Sequence, residues 1–448
     1  MYDVLIIGNG PGGYASALKV AELGGKAALI EASKPGGTCV NVGCIPSKVW
    51  MQAADFINST QAIKAFGIDA EIKGIDLKAI IERKNSVVNN IQTGIGEVLS
   101  SRGVEMINGR AHLKNASTID VDGKRLEGRS IIIATGSSPD VPNVEGLEEA
   151  LITTDKLFDM TEIPKSVLIL GAEYIEVEAA SLLNSLGCKV VMATKDSRIL
   201  CREDQETGQR IKLSLTRRGI EILTRRRLGS VEKKGSFFDC RLSETDEQII
   251  QADKVLVCSR KPNTAGLGLS EIGVRLREDG SILANDHLES SVKGIYAVGD
   301  VAGEWMMSHE ASSMGETAAK NAMGQNVVYP RRLVPRGLWS TPEMGCVGLS
   351  EEEAEKQGYD IEVGTFPYAL NGYAMCQNEP DGAVKIISDN QYDEILGVHI
   401  VGKHAVDMVG EAVLAMQLEC TAKEWAKGIR LHPTFSEIII QAAKNIES

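Results

Sequence analysis

The chain has 448 residues, 43% of them hydrophobic and 24% charged, an ordinary globular balance at a length that exceeds one typical domain. A formal net charge of -13 argues against nucleic acid or an anionic membrane surface as the main partner. No apolar run reaches membrane-spanning length, and the N-terminus enters a strand without a basic leader, so a cytoplasmic protein is expected.

In chain order, Val4–Gly8 reads as a strand, Gly12–Leu23 as a helix and Ala27–Glu31 as a second strand. Between the first two lies Gly8-Asn9-Gly10-Pro11-Gly12-Gly13, a match to G-x-G-x-x-G. Glycines there allow a tight turn and close approach of a pyrophosphate to the helix N-terminus. Glu31 ends the second strand where an acid can bind an adenosine ribose. The motif alone is compatible with a structural turn; strand, helix and acid in register predict a dinucleotide site. The next segment, Gly36 to Lys48, contains Cys39 and Cys44 with four residues between them. Such a pair can meet across the start of a helix, where the dipole lowers a thiol pKa. The spacing alone fits two buried structural thiols equally well.

Ile131–Ala134 reads as a short buried strand ending in Thr135-Gly136, and near residue 150 the pattern restarts. Ser166–Leu170, Ile175–Leu186 and Lys189–Ala193 form a second dinucleotide-type strand–helix–strand unit. A later strand, Gly294–Val298, runs into Gly299-Asp300. After about residue 336 the character changes: Gly382–Asp389 and Glu394–Val401 read as antiparallel strands, Ala405–Glu419 and Ser436–Ile446 as helices. Nine scattered cysteines do not form a disulfide framework in a reducing compartment. Apart from the close pair, Cys188, Cys201, Cys240, Cys258, Cys346, Cys376 and Cys420 read as buried thiols, and no metal-ligand spacing is present, so no metal is expected. Trp50, Trp339 and Phe366 read as residues packed in cores or at a dimer interface, and Arg225-Arg226-Arg227 as a solvated face or a dock for an acidic carrier.

The string Gly36-Gly37-Thr38-Cys39-Val40-Asn41-Val42-Gly43-Cys44-Ile45-Pro46-Ser47-Lys48 closely resembles the redox-disulfide segment of the pyridine nucleotide–disulfide oxidoreductases. The likeness runs along essentially the whole chain. Ala134-Thr135-Gly136-Ser137 resembles the family's second flavin-domain motif, and Gly294 to Asp300 its flavin-ribityl motif. His432-Pro433-Thr434-Phe435-Ser436-Glu437 resembles its active-site base segment; on its own His432 is one of six histidines. The resemblance implies an α/β fold of two Rossmann-like dinucleotide-binding domains plus a C-terminal α+β dimerisation domain. It divides the chain into an FAD-binding part (1–145), an NAD-binding-like domain (146–268), a second FAD-binding or central part (269–335) and a dimerisation domain (336–448).

It further implies bound FAD and a redox disulfide in which Cys39 faces substrate and Cys44 lies against the flavin. Gly8, Gly10, Pro11, Gly12, Gly13, Glu31, Thr38, Thr135, Gly136 and Ser137 would hold the cofactor, with Ala111 by the adenine. Lys48 would pair with Glu178 near the flavin, and Asp300 would accept from a ribityl hydroxyl. Met306, Met307, Ser308 and His309 would start a helix aimed at the ring. Glu437 would orient His432 as the base for the thiols of the other subunit, which implies a homodimer with shared active sites. A cis His432–Pro433 bond is accessible to an X-Pro pair. Within the family the strings are most similar to the lipoamide dehydrogenase branch. Mercuric reductase would be expected to end in paired cysteines, whereas this chain ends Asn445-Ile446-Glu447-Ser448.

The second dinucleotide unit breaks the family pattern. It reads Gly171-Ala172-Glu173-Tyr174-Ile175-Glu176-Val177-Glu178, with glutamate at two positions where glycine is expected. Its second strand ends in Ala193-Thr194 with Asp196 two residues late, and Ser259 replaces the glycine of a Gly-Arg-x-Pro-Asn string. Impaired NAD(H) use is therefore expected, unless a residue such as Lys195 or Arg198 compensates. The substrate would be a lipoyl-bearing carrier protein or a small disulfide. A partner flavoprotein, an iron–sulfur protein or a quinone-like acceptor would exchange the electrons. The alternatives are an ordinary NAD-linked enzyme of the same branch and a non-catalytic FAD-binding scaffold.

Overall fold

The computed structural model describes residues 1–243 and 248–446, so Glu447 and Ser448 of the C-terminal comparison lie outside the described residues. β1 (Tyr2–Ile7) carries the fully apolar run Val4–Ile7 and pairs in parallel with β2 (Ala27–Glu31), as an apolar run covered on both faces should. α1 (Pro11–Glu22) joins them, with proline at its first position, where the missing N–H costs nothing. There follow α2 (Gly37–Asn41), α3 (Cys44–Ala62) and α4 (Leu77–Ser101), then β3 (Glu105–Asn108), β4 (Ala111–Asn115), β5 (Thr118–Val121) and β6 (Lys124–Ile133). These strands form a seven-stranded sheet in the order β3-β2-β1-β6-β5-β4, with Ile295–Ala297 added in parallel to β6.

The expected short strand at Ile131–Ala134 is thus the inner end of a ten-residue strand. The outer half of β6 alternates exposed and buried positions and pairs antiparallel with β5. Its charged residues hide that half from a search for continuous apolar runs.

The second unit is a five-stranded sheet of β7 (Leu151–Thr153), β8 (Ser166–Leu170), β9 (Lys189–Thr194), β10 (Glu221–Thr224) and β11 (Lys254–Val257), in the order β10-β9-β8-β11-β7. α5 (Tyr174–Ser185) links β8 to β9. Its strands pair in parallel throughout. A three-stranded antiparallel sheet leans on it.

β12 (Ile295–Ala297) leads to α6 (Ser308–Ala322). α6 crosses α1 so closely that a Cβ on Gly315 would lie 2.4 Å from the Gly12 carbonyl oxygen. That contact brings the start of α6 beside the start of α1. The last unit is an antiparallel sheet whose central strands, Ala383–Asp389 and Ile395–Val401, are buried along their whole length. The helices Ala405–Gln417 and Glu437–Lys444 pack on it.

This last unit grips the second through buried charge. Arg336 donates from Nε to Glu203 Oε1 at 2.6 Å and from Nη2 to Oε2 at 3.1 Å, with side chains 6% and 0% exposed. Lys385 donates to Asp204 at 2.9 Å. Among the described residues, no helix is long and apolar enough to cross a membrane.

Candidate redox site

The first turn leaves room for a dinucleotide. A Cβ on Gly10 would find only the Gly37 Cα, at 3.7 Å, so the backbone there is open to a ligand. On Gly13 it would overlap the Gly8 carbonyl oxygen at 1.8 Å, which is why this position carries no side chain. Glu31 accepts from the Asn9 N–H at 2.7 Å and the Ser33 N–H at 2.8 Å, which fixes its carboxylate beside the turn. The buried Asn9 Oδ1 has no partner among the described residues. An open cradle at a helix N-terminus, a fixed acid and an orphaned buried acceptor fit FAD.

Further along, Asp300 accepts from Ser137 Oγ at 2.5 Å. Thr135 and Asn263 bond each other's backbone, and Gly136 O accepts from the Asn263 N–H. Ala111 opens β4 at a buried position. Met306 holds a left-handed φ of 57°, Met307 caps α6, and His309 Nε2 bonds the Pro335 carbonyl at 2.6 Å.

Cys39 lies in α2, and Cys44 is the first residue of the 19-residue α3. The two thiols lie close enough to shift each other's ionisation in opposite directions. Cys44 is lowered to about 7, first by the Cys39 hydrogen bond, with Ser308 and the Lys48 charge adding against burial. Cys39 moves the other way, pushed up first by its interaction with Cys44 and then by partial burial. Ser308 Oγ stands 3.1 Å from Cys44 Sγ. Tyr14, absent from the sequence reading, lies near both thiols; burial and then Cys39 raise its phenol.

Lys48 Nζ donates to Glu178 Oε2 at 3.1 Å, so the expected pair forms. Trp339 completes it: the centre of its ring lies 4.0 Å from Lys48 Nζ and its backbone N–H donates to Glu178 Oε1 at 2.9 Å. Trp339 is 40% exposed in the single chain, so of its two expected places, a core or the dimer interface, it is not in the core, and it also holds a charged pair. Trp50 is buried, as expected. Arg260 is a second organiser the sequence reading passed over. It donates to Ser137, Asp155 and Thr38, tying the cysteine segment to the second flavin motif. Only the family string around it could have flagged it.

The base segment stands apart. His432 Nδ1 lies 2.8 Å from Glu437 Oε1, and the Thr434 N–H donates to Glu437 Oε2 at 3.0 Å. Burial opposes ionisation of Glu437, yet Thr434 and His432 hold its carboxyl below the ordinary value. The His432–Pro433 bond is cis. Among the described residues, no hydrogen bond or ion pair joins this pair to Cys39 or Cys44.

The second dinucleotide turn is filled from within. Glu176, 7% exposed, folds back so that its carboxylate would lie 2.9 Å from a Cβ on Gly171, and it accepts from the Glu173 N–H at 3.1 Å. Burial, with Glu173 nearby, pushes Glu176 up to about 7. Glu173 Oε1 accepts from the Cys201 N–H at 2.8 Å, drawing the 200–203 loop over the helix start. Arg198 is turned onto the Leu200, Cys201 and Glu203 carbonyls. Asp196 turns back onto Thr194 Oγ1 at 3.2 Å, and the Arg225 and Arg226 N–H groups close over that strand end.

The reading of the remaining cysteines as buried holds for Cys188, Cys240, Cys258 and Cys346 but not for Cys201 and Cys376, which are exposed, or Cys420, which is half-buried. Cys201 and Cys376 lie in a loop and at the end of a five-residue helix, where neighbouring packing cannot enclose them. Glu203, Cys346 and His399 bring possible metal-ligand atoms within 4.8 Å of one another, but Arg336 occupies both Glu203 oxygens and its cation opposes a metal there.

A family model described as pyridine nucleotide-disulphide oxidoreductase matches residues 2–315, and the dimerisation-domain model of the same family matches residues 334–443. The chain is 35% identical over 451 residues to a protein of Thermus scotoductus named dihydrolipoyl dehydrogenase, covering 99% of this chain and 97% of that one. A Bacillus subtilis protein of the same name is 34% identical over 462 residues, again covering 99% and 97%. Among solved structures, the Cu(II) complex of RclA, the HOCl-induced flavoprotein disulfide reductase of Escherichia coli, matches with a TM-score of 0.87 at 27% identity, covering 100% of this chain and 99% of that one.

Proposed function

The chain belongs to the pyridine nucleotide-disulphide oxidoreductase family, whose members are FAD-dependent flavoproteins, and on that premise we propose a dithiol–disulfide oxidoreductase that acts on a lipoyl-type substrate and exchanges electrons with something other than free NAD(H). The names of its full-length relatives support the lipoyl substrate, carried on a protein or free as a small disulfide. The scattered cysteines suit a reducing, cytoplasmic setting.

In this reading a substrate thiolate attacks Cys39, the Cys39–Cys44 bond breaks, and Cys44 leaves as a thiolate. The second substrate thiol gives its proton to His432 of the partner subunit and attacks the mixed disulfide. The substrate departs as a disulfide, and Cys39 takes a proton as a thiol. When bound, FAD supplies a two-electron acceptor for the reduced pair. Glu437 holds the His432 ring, while Lys48, Glu178 and Trp339 set the charge beside the flavin position. The dimerisation region supports the homodimer that this division of labour needs.

The observation that carries the departure from NAD(H) is the Glu176 carboxyl folded under the Gly171 turn, with Glu173 beside it. Glu176 fills the space beneath the turn where a glycine would allow close helix–strand packing, and Glu173, at the position where bare backbone would approach a pyrophosphate, brings bulk and negative charge. Two unit charges about 5 Å apart at an effective dielectric near 20 repel by roughly 3 kcal/mol, about a hundredfold in affinity. A flavoprotein, an iron–sulfur protein or a quinone-like compound would then serve as electron partner.

The test is anaerobic titration of the purified yellow enzyme. Dihydrolipoamide is expected to reduce the flavin, while stoichiometric NADH leaves it oxidised. Restoring both glycines, Glu173→Gly with Glu176→Gly, is expected to strengthen NADH binding about a hundredfold. Full reduction of the parent enzyme by NADH would make it an ordinary NAD-linked enzyme. Reduction by neither reagent would favour a scaffold.

A further inference from the structure

Ser308 occupies a position that the proposed chemistry leaves without a task. It opens the 15-residue α6, and its hydroxyl lies 3.1 Å from Cys44 Sγ, within hydrogen-bond reach of sulfur. The placement comes from tertiary packing. α6 is held against α1 by the Gly12–Gly315 approach and by Ser16 Oγ, which donates to Gly12 O at 2.7 Å and Gly315 O at 3.1 Å. Cys44 is fixed separately at the head of α3, where the Ser47 N–H bonds the Gly43 carbonyl. Two helix starts therefore converge on one sulfur.

We propose that Ser308 is a positioning residue for the redox pair, whose hydroxyl donates a hydrogen bond to Cys44 when the disulfide is reduced and so holds that sulfur as the thiolate. The inference rests on the redox-disulfide reading above. In the reduction, the S–S bond takes up two electrons and one proton: Cys39 becomes a thiol and Cys44 a thiolate. The electrons come from the dithiol substrate. A hydroxyl can donate to the thiolate but has far less to offer the neutral disulfide, so the bond forms selectively in the reduced state. It also eases the first attack on Cys39, because a thiol of lower pKa leaves faster. The titratable and charged groups around Cys44 are Cys39, Lys48, Glu178 and Tyr14. Ser308 is uncharged, so replacing it leaves all four in place.

The test compares the parent holoenzyme with Ser308→Ala and Ser308→Thr. Each is reduced anaerobically with dihydrolipoamide, and alkylation of Cys44 by iodoacetamide is followed against pH by peptide mass spectrometry. Ser308→Ala is expected to raise the alkylation midpoint by about one to two pH units, the scale of a hydrogen bond to a charged group. Ser308→Thr, which keeps the hydroxyl, should stay near the parent. The reduction potential of the pair should fall in Ser308→Ala by ~30 mV for each tenfold loss of dithiol stability. An unchanged midpoint in Ser308→Ala overturns the proposal, as does an equal shift in both variants, which would mark a steric effect. If the parent pair shows no reversible two-electron reduction, the redox reading itself falls and this role falls with it.

Discussion

Replacing His432 with glutamine is expected to slow dithiol–disulfide exchange by about 10²–10⁴-fold, the usual contribution of a positioned general acid–base group. Glu437 holds Nδ1 of the ring at 2.8 Å, so Nε2 is the nitrogen left to work. In the single chain this side chain is 79% exposed, and its neighbours Ile429 and Leu431 are 96% and 80% exposed. Apolar residues this bare beside an oriented base are what a two-fold partner would cover. The division between subunits gives a sharp test. Co-expressing Cys44→Ser chains with His432→Gln chains yields mixed dimers in which one site has both an intact pair and an intact base. Those dimers should recover up to half of the parent activity, although either homodimer is nearly inactive. Mixed dimers as inactive as the homodimers would show that the base serves its own chain.

Arg336→Met is expected to destabilise the protein by about 3–5 kcal/mol, the cost of stranding one member of a buried ion pair. Burial by itself would raise the Glu203 carboxyl, yet Arg336 outweighs it and holds Glu203 ionised. Without the guanidinium, Glu203 would keep no cation bonded to it, only weaker neighbours such as the Tyr174 hydroxyl and the Cys346 thiol, in a buried site. The same guanidinium sits 4.7 Å from the Trp305 ring, which also takes Arg202 at 3.8 Å and meets Tyr174 edge-on at 6.3 Å. Losing Arg336 therefore loosens the join between the second sheet, the segment before α6 and the last sheet. The check is the thermal and urea midpoint of the holoenzyme, with Glu203→Gln added to Arg336→Met as a double-mutant cycle. The second change should recover much of the loss. An Arg336→Met midpoint within error of the parent would mean that the pair is not coupled to stability.

The reach of sequence reading can be judged from particular residues. Ala27–Glu31 and Ser166–Leu170 form strands with the expected bounds, because a doubly covered parallel strand is written as an uninterrupted apolar run. The turn at Gly8, the close cysteine pair and the base segment were likewise visible, since each is a short string whose chemistry depends on near neighbours. Glu173 and Glu176 stood out as wrong for a pyrophosphate turn. That Glu176 would fold under Gly171, and that Glu173 would draw the Cys201 loop over the helix start, was not visible. A buried carboxylate must find donors, and which donors are in reach is set by packing.

By itself, then, the order of residues determined the local elements, the kinship and the kind of chemistry, because strand and helix periods and motif spacings are local properties of the chain. Only the tertiary structure decided that Ser308 would meet Cys44 across 264 positions, that Trp339 would lie beneath Lys48, and that Glu203 would be locked by Arg336 from another sheet. Those contacts join residues far apart in sequence whose separation in space is fixed by how whole helices and sheets pack. The energy of each depends on burial and on a few ångströms of distance, which no local pattern records.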